Sequence, residues 1–355
     1  MENPLLVTDP GLAALAMISD AKNACVEDGL GCAVFSDVQG NPVGENVEQG
    51  IAAYHSGKHD GVIAFGGGSA LDAAKAIALM VGQARPLWDF EDREDWYTRV
   101  DVEAMAPLVA VPTTSGTGSE VGRASVITDT RDHTKKIIFH PRMLPALVIA
   151  DPELTVGLPA NITAWVGMDA LSHNLEAWSS PLFHPMAQGI AIEGMRLVKQ
   201  WLPLAVSEGS NLEARAHMMI ASTMGATAFQ KGLGAMHGLS HPCGAVHNTH
   251  HGLTNAVVMP YVLLANRSAI EDKLPDLCHY IGLEDASFNG FLDWVLNLRQ
   301  ELSIPHSLAE IGVELAHIAQ LAPMAAIDPS IGTNPIVMDT AACAELYRNA
   351  INGVT

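Results

Sequence analysis

Short apolar runs recur through the first 150 residues with helical stretches between them: Leu5 to Thr8, Cys32 to Ser36, Gly61 to Phe65, Leu108 to Pro112, Lys136 to Phe139 and Ala146 to Ala150. Most are apolar throughout rather than alternating, the pattern of strands covered on both faces. Strands that alternate with helices argue a parallel sheet flanked by helices. After Asp151-Pro152-Glu153 the pattern changes. From about Ala160 onward long Ala/Leu/Met-rich stretches such as Glu213 to Phe229 and Phe291 to Leu302 dominate, and strand signals fade. The pattern predicts an α/β Rossmann-like domain over residues 1–155 and an all-helical domain over 156–355, with the boundary near 151–160.

Composition fits a large buried interior, since 48% of the 355 residues are hydrophobic and only 16% charged. The longest apolar run near the start, Leu12 to Ile18, has seven residues, well short of the roughly 18 that a membrane span needs. A net charge of −20 repels phosphate backbones and anionic lipid, which argues against nucleic-acid and membrane partners. The five cysteines are scattered without a C-x-x-C pair, as expected where thiols stay reduced. Met1-Glu2-Asn3-Pro4 lacks the basic opening of a signal peptide, so the expected location is the cytoplasm.

Two polar turns carry candidate chemistry in the first half. Gly61 to Lys75 reads as a strand, the turn Gly66-Gly67-Gly68, and a helix with Ser69 as N-cap and Asp72 three residues on. Glycines allow a ligand close to the backbone, and the free N–H groups of a first helical turn attract a pyrophosphate, so Gly66 to Asp72 is a phosphate-site candidate. The spacing is neither G-x-G-x-x-G nor a P-loop, and a tight packing turn explains it equally well. Pro112-Thr113-Thr114-Ser115-Gly116-Thr117-Gly118-Ser119-Glu120 follows a second strand, placing hydroxyls and amides where open α/β sheets bind ligands. Asp9, at the end of the first strand, can accept hydrogen bonds from a ribose diol and would repel a 2′-phosphate, which favours NAD over NADP. Asp37 competes for that role, and a plain turn residue before Pro10-Gly11 is the simpler reading of Asp9.

The second half concentrates imidazoles. Of 15 histidines, five fall between 237 and 251: His237, His241, His247, His250 and His251. Asp169 and His173 stand at i and i+4, one turn apart on one helix face, and His237 and His241 repeat that spacing, with Pro242 expected to limit their helix. A carboxylate with imidazoles suits a divalent ion such as Fe²⁺ or Zn²⁺. Any one of these histidines alone reads better as an ordinary core or surface residue. Spacing leaves open whether His241 is a ligand or an acid/base, and whether His250 or His251 faces the metal.

Taken in order, Gly66-Gly67-Gly68-Ser69-x-x-Asp72-x-x-Lys75, Pro112 to Glu120, Gly167-Met168-Asp169-Ala170-Leu171-x-His173 and His237-x-x-x-His241-Pro242, with His251-Gly252 after them, resemble the iron-containing (group III) alcohol dehydrogenase family over nearly the whole chain. The resemblance implies a dehydroquinate-synthase-like fold with the active site in the cleft between a dinucleotide domain and a helical domain. It implies Asp169, His173, His237 and His251 as metal ligands, and His241 as the histidine beside the nicotinamide. Asp9, Asn41, Gly67, Gly68, Ser69, Thr113, Thr117 and Lys136 match its cofactor contacts; Gly66, Asp72 and Thr114 join them from the turns already read. Two departures stand out. Members usually carry roughly 25–30 further residues ahead of the first Rossmann strand, including a hairpin that helps form the dimer, and Ile336 stands where many have Arg.

The activity so implied is metal-dependent, NAD-linked interconversion of a small primary alcohol and its aldehyde, with Fe²⁺ expected and Zn²⁺ as the alternative, in a homodimer or larger homo-oligomer. Phe229 and Lys231, just before His237, are candidates to border the substrate, and Lys231 could pair with a hydroxy acid or semialdehyde or simply face solvent. Glycerol or maleylacetate-type reduction on the same fold is one alternative. A protein that binds NAD and metal without turnover is the other.

Overall fold

The structure is a computed structural model describing residues 1–354. The chain divides into two units. One comprises Met1–Thr114 and Ser119–Thr155; the other comprises Ser115–Gly118 and Val156–Thr355. The short stretch Ser115–Gly118 thus packs with the second unit although it follows a strand of the first.

In the first unit, β1 (Pro4–Val7), α1 (Pro10–Ala13), α2 (Ala16–Glu27), β2 (Ala33–Phe35), α3 (Gly44–Ser56), β3 (Gly61–Gly66), α4 (Gly68–Met80), β4 (Leu108–Pro112), β5 (Ala124–Asp129), β6 (Thr134–Phe139) and β7 (Leu147–Val148) follow one another. Five strands form a parallel sheet in the order β2-β1-β3-β4-β7. Leu5, Val7, Val62, Ala64, Leu108 and Ala110 pack with Leu71, Ala74 and Ile77 of α4, while Leu6, Phe65 and Val111 pack with Ile18 of α2. Covered on both sides, these strands have no need to alternate.

The run Lys136 to Phe139, expected in that sheet, lies instead in a separate antiparallel pair, β5 with β6. Strand β5 gives no continuous apolar signal because Ser125, Thr128 and Asp129 are polar yet buried. Ser125 donates to the Asp72 carbonyl, and Asp129 takes a bidentate pair from Arg131 and a bond from Lys136.

The chain leaves β1 for β2 on one side and returns through β3 on the other, so the strand order reverses between β1 and β3. Open α/β sheets bind ligands at the carboxyl ends beside such a reversal. Asp9 follows β1 there and Gly66 ends β3.

The second unit is helical: α5 (Ala160–Ser179), α6 (Pro185–Ser207), α7 (Leu212–Ala228), α8 (Ala235–His247), α9 (His251–Ile270), α10 (Leu274–Ile281), α11 (Phe288–Glu301), α12 (Ile318–Ala326) and α13 (Thr340–Asn352). No strand follows Val148 among the described residues. Helix α5 is buried nearly all round, with Met168, Leu171 and Leu175 in the core. Helix α8 does not stop at Pro242 as expected; it runs on to His247 and ends at Asn248, whose φ is +53°. The missing proline N–H removes only one helical bond. No helix among the described residues is long and apolar enough to cross a membrane.

Gly66 has φ +152°, and a Cβ there would stand 2.8 Å from Ala70 Cβ. Gly66→Ala is expected to destabilise the protein by about 1–3 kcal/mol through backbone strain, measured as a lowered urea midpoint with unchanged m-value. An unchanged midpoint would show that the turn relaxes freely.

Candidate functional site

Helices α5, α8 and α9 bring together the four predicted ligands. Asp169 and His173 share one face of α5, His237 lies in the first turn of α8, and His251 opens α9. One donor atom from each lies within 4.8 Å of the other three. Asp169 Oδ1 is 3.5 Å from His251 Nε2 and 4.0 Å from His237 Nε2. Tetrahedral bonds of about 2.1 Å place donors about 3.4 Å apart, so one divalent ion fits this set with small side-chain shifts.

Each imidazole is held by its other nitrogen. Glu176, one further turn along α5, places Oε2 2.5 Å from His237 Nδ1 and accepts the Met236 N–H on Oε1 at 2.6 Å. His173 Nδ1 lies 3.2 Å from the Gly116 carbonyl, and His251 Nδ1 lies 3.4 Å from Ser240 Oγ. Bonds of this kind fix the ring orientation and turn the second nitrogen toward the cluster. Asn255, one turn after His251, donates to Asp169 Oδ1 at 2.8 Å. Burial pulls the His173 pKa down to about 4, against the pull of Asp169, so its lone pair is available at neutral pH.

His241 stands outside that group of four. Its ring centroid is 5.8 Å from that of His237 and 5.3 Å from that of His251. Its Nδ1 lies 2.9 Å from Asp328 Oδ2, and Asp328 Oδ1 accepts the Ser330 N–H. Burial pushes the Asp328 carboxyl upward, but His241 and Ser330 outweigh it and the pKa falls below the usual carboxylate value. His250 caps α9 by accepting the Leu253 N–H, and His247 packs its ring against His317 at 4.1 Å.

In the first unit, Asp9 Oδ1 caps α1 by accepting from Gly11 and Leu12, as the turn-residue reading anticipated. Its Oδ2 faces the glycine turn: a Cβ on Gly66 would lie 3.6 Å from it. A Cβ on Gly67 would lie 3.2 Å from Thr114 Cγ2, so the glycine turn and the threonine loop are neighbours. Helix α4 begins at Gly68 with Gly67, not Ser69, as its cap residue, and no side chain bonds that end. Its first N–H groups are thereby left for a ligand. Thr113 is buried, while Thr117 belongs to the stretch that packs with the helical unit.

Three of the expected residues are engaged within the protein itself. Both oxygens of Asp72 are engaged, Oδ1 by Ser119 Oγ at 2.5 Å and Oδ2 by the Val126 N–H at 2.9 Å, so it braces the 119–126 segment. Lys136 is paired with Asp129 and Asp132, and it is Lys135 that reaches Asn41, donating to Oδ1 at 2.9 Å. Lys231 neither faces solvent nor presents its ammonium to a substrate. Only 4% exposed, it donates to the carbonyls of Ala177 and Trp178 and to Gln188 Oε1, capping the end of α5. Burial draws its pKa down to about 8. Phe229 does adjoin the cluster, its ring 5.0 Å from that of His173.

Sequence reasoning missed Glu176, Asp328 and Asn255. Glu176 had a legible signal, an acid at i+7 from Asp169 and i+3 from His173 on the same helix face. Asp328 had none, because it comes from 87 residues beyond its partner.

The family model described as iron-containing alcohol dehydrogenase matches residues 1–152, and that for the C-terminal part of the Fe-containing alcohol dehydrogenase family matches residues 163–351. The chain is 39% identical over 345 residues to 4-hydroxybutyrate dehydrogenase from Cupriavidus necator, covering 94% of this chain and 88% of that protein. Among solved structures, 1,3-propanediol oxidoreductase superposes with TM-score 0.92 at 33% identity, covering 99% of this chain and 92% of that one. Sulfoacetaldehyde reductase from Bifidobacterium kashiwanohense in complex with NAD⁺ gives 0.85 at 27% identity, with 99% and 91% covered.

Glu176→Gln is expected to weaken binding of a divalent ion about 10–100-fold, read by chelator competition; unchanged affinity would mean that His237 needs no carboxylate. Lys231→Met leaves buried carbonyls bare and should cost about 2–3 kcal/mol in urea unfolding. A loss under about 0.5 kcal/mol, the scatter of neutral substitutions, would show that α5 is capped adequately without it.

Proposed function

This chain belongs to the iron-containing alcohol dehydrogenase family, and from that premise we propose how its residues divide the work of a metal- and NAD-dependent alcohol dehydrogenase. The observation that carries the reading is the convergence of Asp169, His173, His237 and His251 within 4.8 Å, with a separate buried partner behind each imidazole. When bound, the divalent ion supplies Lewis acidity toward the substrate oxygen, and NAD accepts the hydride.

Asp169 and the three imidazoles would hold the ion, and their single negative charge would leave it electrophilic. The donor set suits Fe²⁺, the metal of the family's name, and Zn²⁺ alike. His241 takes up the alcohol proton at Nε2 while Asp328 keeps its Nδ1–H oriented, the division of labour that an imidazole and a buried carboxylate adopt in general-base catalysis. The first-turn N–H groups of α4 receive the pyrophosphate, and Asp9 Oδ2 accepts from the ribose diol. Asn41, with Lys135 bonded to it, offers further polar contacts to the cofactor, and Thr113, Thr114 and Thr117 line its loop. Phe229 contributes an apolar wall beside His173.

The substrate is a small primary alcohol or its aldehyde. The 39% identity to 4-hydroxybutyrate dehydrogenase favours a second reading, an ω-hydroxy acid or its semialdehyde, although Lys231 is not the cation that would receive the carboxylate. A cytoplasmic setting accords with five cysteines that form no disulfide, three of them buried.

The test is absorbance at 340 nm with NAD⁺ and a panel of primary alcohols and ω-hydroxy acids, using metal-stripped enzyme and enzyme reloaded with Fe²⁺ or Zn²⁺. Turnover is expected only after reloading. No turnover in protein shown by elemental analysis and calorimetry to hold both metal and NAD would overturn the enzyme reading in favour of a binding protein.

A further inference from the structure

Arg215 of α7 is only 2% exposed, yet every partner of its guanidinium is neutral. Nε donates to the Gly209 carbonyl at 2.9 Å, Nη1 to Thr163 Oγ1 at 2.8 Å and Nη2 to the Leu158 carbonyl at 3.4 Å. No ion pair to Arg215 exists among the described residues. Desolvation pulls its pKa down with no neighbouring charge opposing it. A guanidinium nevertheless stays protonated, and a buried unpaired charge is costly unless something compensates it.

The compensation has a place to sit. Arg215 lines a cavity of about 10 Å³ whose other walls are Leu158, Val166, Leu202 and Met218, with Ser115 and Thr163 as its polar neighbours. That is the space open to an occupant's centre, enough for a water or a single monoatomic ion and too little for a phosphate or sulfate. Thr163 Oγ1 is already engaged, accepting from Arg215 and donating to the Leu158 carbonyl at 3.4 Å. Ser115 Oγ, by contrast, is buried without any partner. Three of the five guanidinium N–H groups are used, so two remain, and with the Ser115 hydroxyl they make three donors beside aliphatic walls. A water there would need acceptors for its own hydrogens; a negative ion needs none.

We propose that this cavity is a binding site for a single monoatomic anion, chloride in ordinary solution, that neutralises Arg215 and accepts the Ser115 hydroxyl. The site is separate from the metal cluster and independent of what the enzyme oxidises. It bears on the cluster through the backbone, because the residue after Ser115 is Gly116, whose carbonyl holds His173 Nδ1. An anion on Ser115 therefore steadies the stretch that orients one ligand.

Crystals of the full chain soaked in sodium bromide should show an anomalous peak at the bromine edge within about 3.5 Å of Arg215 and Ser115 Oγ. In solution, replacing gluconate by chloride at constant ionic strength should raise Tm saturably, by about 2 °C. Bromide should act alike. Ser115→Val, which fills the cavity with methyl groups, should abolish both the peak and the chloride dependence. Ser115→Ala, the milder change, should weaken half-saturation several-fold. An ordered water with no anomalous signal, identical Tm in both salts, or a chloride effect undiminished in Ser115→Val would each overturn the proposal. So would bromide binding at crystal concentration only, with no chloride dependence below about 0.1 M, the ordinary ionic strength.

Discussion

Glu176 does two things at once. One oxygen accepts the Met236 N–H at the start of α8 and the other meets His237 Nδ1. The same carboxylate thus satisfies an orphan donor at a helix start and aims the imidazole on that helix. Because Glu176 shares a face of α5 with Asp169 and His173, the spacing between α5 and α8 is set by a charged hydrogen bond, not by apolar packing alone. Only 3% exposed, it lies where a cation among the imidazoles would add favourable charge. The requirements of the donor cluster and of the fold meet in this one side chain.

Much of this arrangement was legible in the sequence. The β1, β3 and β4 runs, the two turns that follow β3 and β4, and the Asp169/His173 and His237/His241 pairs all obey local rules, because a strand, a glycine turn or an i, i+4 pair is defined by its near neighbours. Where the reading failed, a polar residue had a distant partner. Asp72 read as a capping side chain near a phosphate, yet its oxygens meet Ser119 and Val126, 47 and 54 positions away. Lys231 read as a free cation, but the acceptors that engage it belong to α5 and α6. Residue type announces that a partner is needed and is silent about which one.

The C-terminal third shows the same limit from the other side. Asn334 accepts the Ala235 N–H on Oδ1 and exchanges amide bonds with Asn266, while Asp328 grips His241. Residues 328–334 thereby fasten both ends of the His237-x-x-x-His241 turn. Proline and glycine in this stretch suggest only a loop. Its contribution lies in where those side chains end, which depends on all the helices that precede it.

The stretch Ser115–Gly118 carries a lesson about how such a chain can be divided. It leaves the end of β4 but packs with the helices, Gly118 at φ +61° lying so close to α7 that a Cβ would stand 2.3 Å from Ala226. A gene fragment beginning at Val156 would encode all four donors and Glu176. It would still lack the carbonyl that holds His173 and the backbone that covers Ala226. The helical unit is therefore not a self-sufficient module that recombination could transplant by a single crossover, because four of its residues are borrowed from the middle of the α/β half. Any shuffled or split descendant would have to carry that insertion along.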